Sequence, residues 1–75
     1  MEKYKNLSLD SSVYAYEIGM DYIDVQFYDG SIYSYSYRSA GSFNVEQMKC
    51  YAQAGNGLGS FIQRKVRKSY EFRKN

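Results

Sequence analysis

Apolar and polar residues alternate through two stretches of the first half of the chain. Between Tyr22 and Tyr28, Ile23, Val25 and Phe27 fall on one side, Asp24 and Gln26 on the other. Between Ile32 and Arg38, Tyr33, Tyr35 and Tyr37 alternate with Ser34 and Ser36. A period of two marks a half-buried strand. A third stretch, Ser12 to Glu17, carries Val13, Tyr14 and Tyr16 and is also expected to be extended.

Asp29-Gly30 joins the two regular stretches, a strong short-range hairpin signal. Two registers are open. A two-residue turn pairs Phe27 with Ile32 and sets Val25 and Ile23 opposite serines. A three-residue loop, Tyr28-Asp29-Gly30 with Gly30 at positive φ, sets Val25 opposite Tyr33 and Ile23 opposite Tyr35. The second gathers the large side chains on one face, and one face must be the core, so it is preferred.

Beyond residue 39 the period lengthens. Ser39-Ala40-Gly41-Ser42 is expected to be a loop, with Asn44 capping a helix and Gln47 completing a capping box. Val45, Met48, Tyr51 and Ala52 recur at helical spacing. Gly55-Asn56-Gly57-Leu58-Gly59 ends that helix, and Ser60 can cap the next. Leu58, Phe61, Ile62, Val66 and Tyr70 form its apolar stripe, with Arg64, Lys65, Arg67 and Lys68 off it.

Strands followed by helices predict an α+β domain: a three-stranded antiparallel β-meander, then two α-helices packed on one face. Residues 9–70 are expected to form one domain. Residues 1–8 are read as an N-terminal tail. Residues 71–75 are read as a frayed C-terminal tail, with Phe72 able to pack back.

Composition narrows the chemistry. A chain of 75 residues holds one core and little catalytic scaffold. Hydrophobic content of 44% and charged content of 24% argue against a wholly disordered chain. There is no histidine and a single cysteine, Cys50. An internal disulfide is therefore impossible, a reducing compartment is expected, and zinc or Ser-His-Asp chemistry has no ligands. Cys50 beside Lys49 lacks a partner base and is read as a small helix residue at or near the core. No run approaches the roughly 20 apolar residues of a membrane span, and Met1 to Asp10 has no apolar signal region. The expectation is a cytoplasmic protein with no membrane partner.

The carboxylates Asp10, Glu17, Asp21, Asp24 and Asp29 are dispersed. Asp29 is accounted for by its turn, and no pair is placed for acid–base work. No catalytic residue, metal ligand or cofactor is assigned, and the protein is not expected to be an enzyme.

Charge divides the chain. Residues 1–44 carry a net −3, with three Lys or Arg against six carboxylates. Residues 45–75 carry +5, with seven against two. Arg64, Lys65, Arg67 and Lys68 make a basic helix able to meet phosphates, or an ordinary solvated face. Tyr70 or Phe61 could stack a base if exposed. Asn56, Gly57 and Ser60 belong to a glycine-rich segment that either cradles an anion or merely connects two helices. Ten tyrosines are several times the usual share. Most are expected to serve the core and strands, while Tyr14, Tyr22, Tyr28 and Tyr37 are candidates for protein contact.

Several of these pieces together resemble the KTSC domain, a small domain found at the C-terminus of some lysyl-tRNA synthetases and as stand-alone proteins. They are Ser11-Ser12, Ala15-Tyr16-Glu17, the run Ile23 to Tyr35 with its Asp29-Gly30 turn and paired tyrosines, and Ala54-Gly55 to Tyr70. The resemblance spans Leu9 to Tyr70. The chain departs from the pattern where Ser39-Ala40-Gly41 replaces a proline, and where Gly55-Asn56-Gly57 replaces a Ser-Lys-Gly step. The resemblance implies a fold more than an activity, and its tRNA-synthetase association leans toward nucleic acid.

The reading is therefore a non-catalytic binding module that holds nucleic acid or another polyanion through its basic C-terminal helix. The alternative is a protein–protein interaction module with an exposed tyrosine surface, of the kind a phage or mobile element uses to inhibit a host protein.

Overall fold

The computed structural model describes residues 1–9 and 11–74. Asp10 and Asn75 lie outside the described residues. Five antiparallel strands follow one another across a single sheet in chain order. They are β1 (Glu2–Lys3), β2 (Val13–Ile18), β3 (Tyr22–Phe27), β4 (Ile32–Ser36) and β5 (Phe72–Arg73). The helices are α1 (Tyr37–Ala40), α2 (Ser42–Ala54) and α3 (Leu58–Phe61), the last running into a π turn at Ile62–Val66.

The hairpin takes the three-residue loop. Ile23 lies opposite Tyr35 and Val25 opposite Tyr33. The Phe27 N–H donates to the Ser31 carbonyl at 2.9 Å, and Gly30 takes φ of 91°. That backbone conformation suits glycine, which has no Cβ to clash. Asp29 Oδ1 accepts from both the Ser31 N–H, at 2.9 Å, and the Ser31 hydroxyl, at 2.6 Å.

β2 departs from simple alternation. Its pairing with β3 shifts between Val13 and Ala15, so Tyr14 has no partner across the ladder. This bulge brings Val13 and Tyr16, three residues apart, onto the same face. Both are buried in the core with Tyr4, Ile23, Val25 and Tyr35 from the sheet. The helices add Val45, Met48, Ala52, Leu58, Phe61, Ile62 and Val66.

Four expectations are corrected. The sheet has five strands rather than three, because the segments read as tails pair along its two edges. Glu2 and Lys3 pair with Tyr16 and Ala15, and Phe72 and Arg73 with Ser34 and Tyr33. Tyr4 is fully buried, and its hydroxyl accepts from the Leu58 N–H at 3.1 Å, meeting an amide that the first helical turn leaves without an internal partner. The helices also do not all pack on one face. α2 packs against β3 and β4, while α1 sits at the end of β4, where the Ser36 and Ser39 side chains form a reciprocal cap.

The helix boundaries differ too. Gly41, not Asn44, precedes α2, and the Asn44 side chain instead donates to the Ala40 carbonyl at 2.9 Å. Ser60 lies inside α3, which starts after Gly57, and the helical stretch ends near Val66 rather than reaching Tyr70. Finally, Cys50 is exposed on α2 rather than near the core. Among the described residues, no helix is long and apolar enough to cross a membrane.

Candidate nucleic-acid interface

The hairpin and the π turn face each other across a cleft of about 350 Å³. Phe27, Tyr28, Asp29, Ser31, Tyr33 and Tyr35 line it from the hairpin; Ile62, Gln63, Arg67 and Tyr70 line it from the helical side, with Ser12 at one end. A second hollow of about 240 Å³ lies between Ser11, Ser12, Gly59, Ser60 and Gln63. Ser12 and Gln63 line both, so the two hollows are neighbours in one surface groove, one aromatic and the other hydroxyl-rich.

The aromatic end is built in layers. Tyr35 is buried and forms the floor. Burial, helped by the nearby Tyr33 and Tyr70, pushes its hydroxyl up to about 12, so it is neutral at physiological pH. Tyr33 packs between Phe27 and Tyr70, with ring centroids 5.8 and 4.7 Å away. The two outer rings carry the accessible π-surface: Tyr28 is 60% exposed and Tyr70 40%. Tyr28 is braced edge-on by Tyr14, the bulged residue, at 5.3 Å. Phe61, the other candidate for stacking, is buried in the core and can contact no ligand.

Of the basic residues that the sequence singles out, Arg67 lines this cleft and Arg64, Lys65 and Lys68 do not. Arg64, Lys65, Arg67 and Lys68 are all exposed. None of the four meets a carboxylate among the described residues, and Arg67 reaches the cleft itself. Arg64 Nε touches the Ser60 hydroxyl at 3.4 Å. A π turn winds wider than an α-helix, and such turns are frequent at functional sites. Here it keeps Ile62 and Val66 buried while Gln63 and Arg67 face the groove.

Other predicted positions are spent elsewhere. Asn56 accepts from the Ser8 hydroxyl at 2.5 Å and sits at the N-terminal loop. Gly57 faces the Tyr51 ring. Neither lines the groove, whereas Ser60, Arg67 and Tyr28 do. The four tyrosines proposed for protein contact do not form one patch. Tyr14 and Tyr28 pair beside the cleft. Tyr22 covers Gly19 at the far end of β3. Tyr37 donates to Glu46 at 2.5 Å, a bond that raises its hydroxyl's ionisation above the usual range.

Lys49 and Lys74 are neutralised within the fold. Lys49 meets Glu46 at 2.7 Å, and Lys74 meets the buried Asp24 at 2.6 Å. The polar groove residues missed by sequence reasoning are Ser11, Ser12, Asp29, Ser31 and Gln63. They come from three separate segments and share no local motif.

No family model, curated protein or solved structure matches this chain.

Proposed function

We propose that the groove binds a single-stranded nucleic acid, with bases on the aromatic end and the phosphate backbone along the cations of the π turn. The observation that carries this reading is the juxtaposition of two half-exposed tyrosines, Tyr28 and Tyr70, with Arg67 in one cleft. Base stacking on tyrosine tolerates any sequence and is worth about 1–3 kcal/mol per base. Phosphate contacts to Lys and Arg supply the remaining affinity and make it salt-dependent. Duplex is disfavoured, because its bases are already stacked on one another.

The module is proposed as a binding one, with no catalytic role assigned to any of its residues. The resemblance to the KTSC domain leans the same way by analogy, and some of the residues that carry it (Ser11-Ser12, Asp29, Tyr33, Tyr35 and Tyr70) line this groove.

Fluorescence anisotropy with labelled single-stranded RNA tests the reading. If two to four phosphates are met, log K falls against log salt with a slope of roughly −1.4 to −2.8. Arg64→Glu with Lys68→Glu then abolishes binding at physiological salt. Flat titrations at low salt overturn the reading.

A further inference from the structure

Stacking does not choose a base, so any choice must come from polar groups that reach the cleft. Three do so with side-chain groups suited to base edges: Asp29, Gln63 and Arg67. Asp29 is held rigidly, because Oδ1 takes both the N–H and the hydroxyl of Ser31. Oδ2 takes no bond from Ser31. The carboxylate accepts only, the guanidinium donates only, and the two approach the same cleft from the hairpin and the helical side.

We infer that the cleft selects guanine, with Asp29 on the edge that carries N1–H and the 2-amino group and Arg67 on the edge that carries O6 and N7. This inference rests on the proposed nucleic-acid reading. The chemistry singles out one base. Guanine presents two adjacent donors on one edge, which converge on the Oδ2 that Ser31 leaves open, and two adjacent acceptors on another, which match the guanidinium fork. Adenine puts its amino group beside N7 and so offers Arg67 a donor against a donor. Cytosine pairs two acceptors, O2 and N3, but carries a single amino donor, and uracil's two acceptors are separated by its N3–H, so neither offers both pairs. A cavity of about 350 Å³ is of a size to take one nucleoside. Gln63 both donates and accepts, so it does not discriminate.

The test uses the full chain and UUXUUU RNA hexamers with X as G, A, C or U, titrated at low salt. The G hexamer is expected to bind about tenfold more tightly than the others, as one well-made pair of base contacts provides. Asn at position 29 still suits the turn and can still accept from Ser31. Asp29→Asn is therefore expected to fold, checked by its thermal unfolding, and to lose the G preference, read as the ratio of its affinities for UUGUUU and UUUUUU. Equal affinity for all four hexamers overturns the inference and leaves the groove a general binder. A preference for A, C or U, or a G preference that survives Asp29→Asn, also overturns it. Failure to bind any hexamer overturns the nucleic-acid reading, and with it this one.

Discussion

Asp24 sits at a polar position of β3 on the side away from the core, yet it is only 3% exposed. One carboxylate oxygen meets Lys74, and the other, Oδ1, has no hydrogen-bond partner among the described residues. Sequence alternation correctly put Asp24 on the outward side but gave no sign that a C-terminal strand would cover it. The hydrogen bond to Asp24 raises the Lys74 ammonium's ionisation above its ordinary range. A raised cation stabilises the fold fully below its unfolded value and loses that contribution as pH rises through the folded one. Removing one partner of a buried charge is worse than removing both. Lys74→Ala is therefore expected to lower the melting temperature more than Lys74→Ala with Asp24→Asn, measured by thermal unfolding near pH 7. Tyr35 gives a second alkaline effect. Its hydroxyl ionises near pH 12 in the folded protein against about 10 unfolded. Stability is complete below pH 10 and falls by roughly 2–3 kcal/mol by pH 12. Urea titrations across that range should show a weaker decline for Tyr35→Phe. Tyr4→Phe keeps the ring and strands the buried Leu58 N–H, so it should cost about 1–3 kcal/mol in urea unfolding at neutral pH.

Among the elements, the hairpin was the most legible. Asp29-Gly30 marked the turn, and the need to gather Ile23, Val25, Tyr33 and Tyr35 on one face chose its register. Two-residue strands have no period to detect, so β1 and β5 were invisible in the pattern. β2 forms where Ser12 to Glu17 was expected to be extended, without a regular alternation. The bulge at Tyr14 breaks the alternation, and the benefit comes from burying both Val13 and Tyr16. The apolar stripe of α2 was correct and the next one was correct from Leu58 to Val66 but not at Tyr70, which lies beyond the helical stretch, and Asn44 and Ser60 looked like caps only because the short α1 and the early start of α3 were not foreseen. The groove's two walls also depend on a close approach. A Cβ on Gly59 would lie 2.4 Å from the Ser11 hydroxyl oxygen and 3.1 Å from its Cβ. Gly59→Ala must push α3 away from the strand that follows Ser11. It should cost about 1–3 kcal/mol and weaken RNA binding, and Ser11→Gly in the same chain should recover part of both losses.

At the scale of the whole molecule, opposite charge in the two halves becomes a division of labour. Asp24 of the sheet neutralises Lys74 across the two halves, Glu46 neutralises Lys49 within the second, and among the described residues Arg64, Lys65, Arg67 and Lys68 meet no carboxylate. The basic run was legible in the sequence. Its position was not, because the cleft assembles from residues 12, 27–35 and 62–70, which no local motif connects. The central claim is that this groove is where a single strand binds. NMR titration of isotope-labelled protein with a UUGUUU RNA hexamer tests it most directly. The account predicts saturable shifts at Ser12, Tyr28, Asp29, Gln63, Arg67 and Tyr70, fading as salt rises. Shifts centred on the outer face of α2 around Phe43 and Cys50, or no shifts at low salt, would contradict it.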